Sequence, residues 1–433
     1  MLHSGGASAG QDGGVNAMSD QRPSPSQTRP LRLLMLAPEP FFEPRGTPFS
    51  EFHRIKALVE LGHSVDLVTY PIGRDVALPN LRIFRGPRPP FVRAVKIGPS
   101  LTKVVLDALM LVTVARRALA GGYDAVHSHE EMGLVGVWVA RWLGVPHLYD
   151  MHSSLPQQLS NFKFSGSRLL RRIFDGVERQ MVGKSDVVIT ICQELQDTVT
   201  EMGHGRRAIL IENVMGGDVD DPPTLSGAAI RERWGLPGEA PIVLYTGTFE
   251  AYQGLDLLFD AAARLQATHP AARVLVVGGS PEQVEAAQGR ARAAGATTVV
   301  FTGQQPAREI PAFVGAAAVL ASPRIRGTNT PLKIYSYLRS GVPIVATNLL
   351  THTQVLSQEV ARLVPPEPEA FAAAIRDVLD DPAAGQRLAA AAARLSDAKY
   401  SREVYLRRTA DAAGRLAGPR VAPAAAAEEP AAR

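Results

Sequence analysis

Short runs of consecutive apolar residues alternate along this chain with longer stretches in which apolar positions return every three or four residues. The runs fall at 32–37, 64–70, 125–129, 147–151, 186–192 and 208–213, and the helical spacing at 50–61, 100–120, 134–143, 167–183 and onward from Glu194. A run without polar alternation is the pattern of a strand buried on both faces, and strands interleaved with helices in this rhythm predict a doubly wound parallel sheet. The rhythm breaks at 215–226, MGGDVDDPPTLS, whose glycine, aspartate and proline content is that of a linker. It then restarts, with strands predicted at 242–246, 273–278, 299–302, 318–322 and 342–347 and helices at 254–265, 281–294 and 306–313. An Ala- and Arg-rich stretch at 383–416 keeps helical spacing and predicts one or two closing helices.

At 433 residues the chain exceeds what one ordinary core organises, so the two alternating halves read as two domains of about 180 residues each. The expected division is a disordered tail over 1–30, an N-terminal Rossmann-like domain over 31–215, a linker at 216–226, a C-terminal Rossmann-like domain over 227–385, closing helices over 386–417 and a disordered tail over 418–433. Two such sheets turn the carboxyl ends of their strands toward a shared crevice, where open α/β sheets bind ligands. A net charge of +4 is too small for this length to point to nucleic acid. The single cysteine, Cys192, excludes an intramolecular disulfide or a cysteine-rich metal site and reads as a small core residue in a reducing cytoplasm. The first 30 residues carry no apolar core of signal-peptide length. The apolar stretch 104–115 is interrupted by Asp107 and closed by Arg116 and Arg117, too short for a bilayer and suited to a packed helix.

Residue types with chemistry concentrate at the predicted strand ends. The segment 322–348, SPRIRGTNTPLKIYSYLRSGVPIVATN, runs a loop, a helix and a buried strand together. Its helix is expected to begin near Thr330 and Pro331, to place Leu332, Tyr335 and Leu338 on one face, and to end at Gly341. The backbone N–H groups of Gly327, Thr328 and Asn329, with Arg324, Arg326 and Lys333 nearby, would then face an anion, phosphate first among them. The plainer reading is a capped surface helix with solvated basic residues. The strand at 242–246 runs into a glycine-bounded loop from Gly247 to Gly254, while Gly278 with Gly279, and Thr302 with Gly303, end two further strands with residues small enough for a ligand to approach the backbone. In the first half Arg45, Gly46, Thr47 and Pro48 follow the first strand and precede a helix.

His127 and His129 close one strand, and Asp150 and His152 close the next, so parallel packing brings the four together at the crevice mouth. No further ligand pattern fixes a metal geometry there, and a hydrogen-bonded structural role is expected for His127. Other patterns fail on context. Gly203-His204-Gly205 fits a relaxed dinucleotide fingerprint but leads into a strand, Gly183-Lys184-Ser185 lacks the upstream glycine of a phosphate loop, and Asp218-Val219-Asp220 lies in the linker.

In order, LYTGTFEAYQGLDLL, VLVVGGSP, VVFTGQQPAREI and SPRIRGTNTPLKIYSYLRSGVPIVAT resemble the successive nucleotide-sugar loops of the family 4 glycosyltransferases; with a weaker N-terminal match the resemblance covers roughly residues 31 to 415. It implies the GT-B fold and a retaining, metal-independent transferase without a cofactor. The co-substrate would be a nucleoside-diphosphate sugar held mainly by the C-terminal lobe. A glycan or lipid-linked acceptor would enter over the N-terminal lobe, beside His127, His129 and Asp150. The resemblance places His152 near the transferred sugar, adds Thr330 and Leu332 to the donor contacts, and makes Gly46 and Thr47, where family members often have a glycine pair beside the donor phosphates, a second anion contact.

Family members usually carry Arg directly after the first glycine of the 247–254 loop and Lys directly before its last, both gripping the diphosphate. Here those positions are Thr248 and Gln253. A pair of glutamates eight residues apart in the family falls here at Thr328 and Ser336. Arg324, Arg326 and Lys333 stand as replacement cations, since a diphosphate in a dry cleft needs cationic or N–H partners. In the implied front-face mechanism they stabilise the leaving diphosphate, which helps take the acceptor's proton. The four departures also support a second reading, a catalytically silent GT-B binding or scaffold protein.

Arg82, Arg85, Arg88, Arg93, Lys96 and Lys103 occur with Phe84, Phe91 and Ile97 interleaved, and Lys163, Arg168, Arg171 and Arg172 form a second cluster. Enzymes of the resembling family often present such a face to a membrane that carries lipid-linked acceptors, where each well-placed charge contributes about 1 kcal/mol. A cytoplasmic protein, peripheral on the inner face of the membrane, is the expectation; the plainer alternative is a solvated face.

Overall fold

The structure, a computed structural model, describes residues 29–42, 46–90, 92, 95, 100–156, 168–213 and 223–418. Among them the chain forms two all-parallel sheets. The first, in the order β3-β2-β1-β4-β5-β6-β7, contains β1 Arg32–Ala37, β2 Ser64–Thr69, β3 Leu81–Arg85, β4 Ala125–His129, β5 His147–Met151, β6 Val187–Thr190 and β7 Ala208–Leu210. The second, in the order β10-β9-β8-β11-β12-β13, contains β8 Ile242–Thr246, β9 Arg273–Val277, β10 Val299–Gly303, β11 Val319–Ser322, β12 Ile344–Thr347 and β13 Arg362–Val364. Strand order reverses between β1 and β4 and again between β8 and β11, the switch points at which such sheets open a crevice.

Helices cover both faces of each sheet, which is why the central strands read as unbroken apolar runs. In the first half they are α1 Gly46–Glu60, α2 Leu101–Ala120, α3 Gly133–Leu143, α4 Arg168–Lys184 and α5 Gln193–Glu201. In the second they are α6 Gly227–Arg233, α7 Leu255–Thr268, α8 Pro281–Ala293, α9 Ile310–Gly315, α10 Lys333–Leu338, α11 Leu350–Thr353, α12 Pro368–Asp380, α13 Pro382–Lys399 and α14 Arg402–Ala417. The last two part company. Ala392 of α13 packs in the second lobe with Tyr337 and Leu338, whereas Tyr405, Ala412, Ala413 and Leu416 of α14 pack in the first with Leu33 and Ile55. The closing helix thus ties the end of the chain back to the N-terminal lobe.

Several expectations are corrected. β3 was hidden inside the basic cluster, and β13 and α12 were not anticipated. Arg82 and Arg85 are committed to Asp66 (2.7 Å) and Asp75 (2.7 Å), and Lys103 lies between Glu39 (3.3 Å) and Glu131 (3.5 Å), so among its described members the first basic cluster is mostly internal pairing; Arg88 is exposed. The 104–115 stretch is packed on one side only: Leu106, Met110 and Val114 are buried, while Val104, Val105, Leu111 and Val112 are exposed. The expected tails apart from Arg29, Pro30 and Gly418, most of the linker with Asp218 and Asp220, and Arg45, Phe91, Arg93, Lys96, Ile97 and Lys163 lie outside the described residues.

Candidate functional site

The C-terminal side of the crevice is built by backbone pressed against backbone. At the end of β9 a Cβ on Gly278 would stand 1.9 Å from the Gly247 carbonyl oxygen, and one on Gly254 would stand 2.0 Å from that of Pro323. Both glycines hold positive φ, 131° and 74°, so any other residue meets strain as well as collision. These contacts seat the 247–254 loop against the 323–329 loop.

Lys333 opens α10 beneath that seam. Its Nζ donates to the Thr246 carbonyl at 3.1 Å and sits 3.8 Å from the centre of the Tyr245 ring. Arg324 folds along its own loop, donating from Nε to Arg326 O (2.9 Å) and from a terminal nitrogen to Asn329 O (3.0 Å), with its guanidinium 4.9 Å from the centre of the Tyr252 ring. Among the described residues neither side chain has a carboxylate partner. Burial, then the Arg324 charge, holds the Lys333 amine well below the usual lysine range, and burial lowers Arg324 too. Two basic groups therefore share a partly dry corner at the ends of β8 and β11, an arrangement in which a bound anion would favour their charged forms.

Arg326 is exposed, and its described role is the carbonyl that Arg324 binds. The helix starts at Lys333, later than the expected Thr330, has no side-chain cap and is a single short element, so its N-terminus adds little to anion binding. Gln253 Nε2 reaches Thr248 Oγ1 at 3.4 Å, so the two departures from the family pattern face each other. Ser336 Oγ turns back to Lys333 O (2.8 Å), and Thr328 O accepts from Gln354 Nε2 (2.5 Å). Thr302 Oγ1 donates to Gly303 O, which also accepts from Gly278 N. A Cβ on Gly279 would stand 2.7 Å from the Phe249 ring. Gly327 lies against Arg324, Thr330 is buried and Leu332 half-buried. Gly46 and Thr47 form the first turn of α1.

Asn329 serves more than a donor loop: its Nδ2 donates to His152 O at 2.8 Å, joining the two lobes. Gln354, absent from the expected site, accepts from Glu194 N at 2.9 Å and makes a second bridge. His352 was missed as well. Ser322 Oγ lies 2.8 Å from its Nε2 and Thr347 O 2.8 Å from its Nδ1, so it pins the ends of β11 and β12. Burial first, with the nearby Lys333 and Arg324 charges, pushes its imidazole down to about 3. The unfolded chain takes up this proton near the ordinary value of 6.5, so the group's contribution is whole above 6.5 and is lost as pH falls toward 3. The stability advantage of the wild type over His352→Gln should shrink by about 1.4 kcal/mol per pH unit between roughly 6.5 and 4, read from urea melts.

On the N-terminal side, the β4–β5 register sets His129 opposite Asp150, and side-chain alternation puts His127 on the same face. His127 Nε2 is 3.5 Å and His152 Nε2 is 3.4 Å from the Asp150 carboxylate, and His129 Nδ1 is 3.1 Å from His152 Nε2. Arg54 Nε donates to Asp150 Oδ2 at 3.0 Å and a terminal nitrogen of Arg54 to Thr409 Oγ1 at 3.1 Å, linking the cluster to α14. His127 Nε2 faces the same Asp150 Oδ2 that Arg54 binds, at 3.5 Å, the outer edge of hydrogen-bonding distance, and its Nδ1 has no partner. Burial first lowers all three imidazoles, while Arg54, the His152 charge and the other histidines hold Asp150 well below the usual range against its burial. Glu130, directly after β4, has φ 46°, and burial raises its carboxyl to about 8. Cys192 is buried, as expected.

Residues 227–395 match the family described as glycosyl transferases group 1, and residues 53–213 match the glycosyl transferase 4-like domain. The chain is 29% identical over 358 residues to a D-inositol 3-phosphate glycosyltransferase of Acidothermus cellulolyticus, covering 75% of this chain and 76% of that protein. It is 25% identical to a phosphatidyl-myo-inositol mannosyltransferase of Mycobacterium leprae, covering 77% and 83%. Among solved structures, sucrose-phosphate synthase from Thermosynechococcus elongatus superposes with a TM-score of 0.69 at 22% identity, covering 89% of this chain and 99% of that one. Anabaena HepE, solved with UDP-glucose, superposes with a TM-score of 0.67 at 18% identity, covering 89% and 99%. Both likenesses speak to the GT-B fold.

Proposed function

The chain belongs to the family 4 glycosyltransferases, and from that premise we propose that it transfers a sugar from a nucleoside-diphosphate donor with retention, using Lys333 and Arg324 to hold the diphosphate. The observation that carries the reading is the pair of cations without a carboxylate partner at the ends of β8 and β11. They stand beside the loop in which Thr248 and Gln253 replace the family's own cations. As the sugar–phosphate bond breaks, negative charge grows on the diphosphate, and fixed cations in a low-dielectric corner stabilise that state more than the ground state. His152 faces the sugar from the other lobe, and a phosphate oxygen helps take the acceptor's proton. In this reading the transfer draws on protein cations, without a metal at the diphosphate or a cofactor.

The screen that tests it is a thermal-shift series with UDP-, GDP- and ADP-sugars, since a ligand bound only by the folded state raises the melting temperature. One donor class should shift the wild type and be hydrolysed slowly in the absence of acceptor. A protein that binds a donor but neither hydrolyses nor transfers it is the silent alternative, which the inward turn of Ser336 favours.

We read the acceptor as lipid-linked and the protein as cytoplasmic and peripheral on the membrane. The support is a set of exposed apolar residues on neighbouring stretches of the N-terminal lobe: Leu101, Val104 and Leu119 of α2, Trp138 and Trp142 of α3, and Leu169 and Ile173 of α4 are all more than half exposed, and Arg141, Arg171 and Arg172 of the same helices are exposed too. Among the described residues no helix is long and apolar enough to cross a membrane. Aromatic side chains with flanking arginines suit the headgroup region. Vesicles containing anionic lipid should sediment the wild type, and Trp138→Ala with Trp142→Ala should weaken binding at least tenfold; equal binding by the double variant would refute this docking face.

A further inference from the structure

We propose that His127, His129 and Asp150 form a binding site for a divalent transition metal of zinc's class, buried in the N-terminal lobe beneath the cleft. One ligand atom from each of the three lies within 4.8 Å of the others, and the residues are 1%, 0% and 0% exposed. Donors about 2.0–2.1 Å from a tetrahedral zinc stand roughly 3.3 Å apart, so side-chain rotation of an ångström or so closes the set.

The stronger argument is what these groups lack. Nδ1 of His127 and Nε2 of His129 are buried without a hydrogen-bond partner, and His127 Nε2 and Asp150 Oδ1 have only long contacts, 3.5 Å to Asp150 Oδ2 and 3.4 Å to His152 Nε2. Buried polar atoms in folded proteins almost always find partners, and several orphans aimed into one spot mark a missing ligand. The surrounding groups already form the outer shell such a site needs: Arg54 Nε binds Asp150 Oδ2 at 3.0 Å and leaves Oδ1 with only the 3.4 Å contact to His152 Nε2, while His152 Nε2 stands 3.1 Å from His129 Nδ1 and leaves Nε2 of His129 open. Two imidazoles and a carboxylate select zinc, cobalt or nickel over magnesium and calcium, which prefer all-oxygen shells.

Arg54 sets the condition on charge. Its guanidinium neutralises Asp150, so a dication needs a second negative charge close by, and Glu51, whose carboxyl feels the Asp150 charge but lies outside the three-ligand set, is the buried group that offers it. Glu51 lies one turn before Arg54 on α1, is 0% exposed, and has both carboxyl oxygens without a partner. The ion would stiffen the β4–β5 ends and thereby the position of His152, without touching the diphosphate. This inference stands apart from the transferase reading, because its test needs no sugar donor.

The test is cobalt and zinc binding by the chelator-treated full chain, followed by visible absorption, calorimetry and metal content after desalting. The expected result is one equivalent per chain with the ligand-field bands of a low-symmetry cobalt site, and a zinc-dependent rise in melting temperature. Glu51→Gln, nearly isosteric, and His129→Ala should each weaken binding at least tenfold and abolish the rise, while His269→Ala, in the other lobe, should leave both unchanged. Folding of each variant is checked by circular dichroism; should His129→Ala fail to fold, Glu51→Gln carries the test. Absence of cobalt bands in the wild type, or the same metal uptake in Glu51→Gln as in the wild type, would overturn the proposal.

Discussion

Lys333→Met should make the protein more stable and nearly inactive. The ammonium now sits against the Tyr245 ring with Thr246 O as its hydrogen-bond acceptor and Arg324 as a like-charged neighbour. A thioether of similar length keeps the packing and removes the desolvated charge, so urea melts should show a gain of about 1 kcal/mol even after the lost hydrogen bond is counted. Donor turnover should fall by about 10²–10³, the usual cost of removing one group that stabilises developing charge. Opposite signs for stability and activity are the mark of a group kept for function. A lysine with a purely structural role would lose stability and leave turnover intact.

Gly278→Ala should be the most damaging small substitution in the crevice. Its new Cβ meets the Gly247 carbonyl oxygen at 1.9 Å, where neither backbone can yield without unseating the 247–254 loop, and its φ of 131° is hostile to alanine. Overpacking and backbone strain together should destabilise the fold by roughly 3 kcal/mol or more and remove donor binding. Gly289→Ala is the matched control. That glycine lies within α8, nothing stands within 4 Å of its added Cβ, and helix propensity favours the change by about 0.5–1 kcal/mol. Comparative melts and a nucleotide thermal-shift assay read both; equal stability of the two variants would contradict the packing argument.

The sheets were legible because their central strands are buried on both sides: the run at 32–37 is β1 to the residue, and Leu33, Leu34, Met35 and Leu36 are each 1% exposed or less. Where burial is one-sided the reading failed. β3 is an edge strand whose Leu81 and Ile83 are only half-buried, so its arginines dominated and it was taken for surface charge. Charges read along a sequence also carry no record of their partners. Arg82 pairs with Asp66, 16 residues away, and Lys103 with Glu39, 64 away. The site divides in the same manner. Glycines at strand ends and the cations of the 324–333 segment follow from local pattern. The bridges of Asn329 to His152, 177 residues apart, and of Gln354 to Glu194, 160 apart, depend on how two lobes meet, which no local spacing encodes. The long contact of His127 is similar, because Arg54 of α1, 73 residues earlier in the chain, shares the Asp150 oxygen it faces.

Calorimetric titration of a nucleoside diphosphate, and of the nucleoside alone, into the wild type and the Lys333→Met variant tests the central claim most directly. If Lys333 and Arg324 hold the diphosphate, the wild type should bind the diphosphate at least about 10²-fold more tightly than the nucleoside, and the variant should lose at least tenfold of that preference. An undiminished preference in the variant would contradict the account.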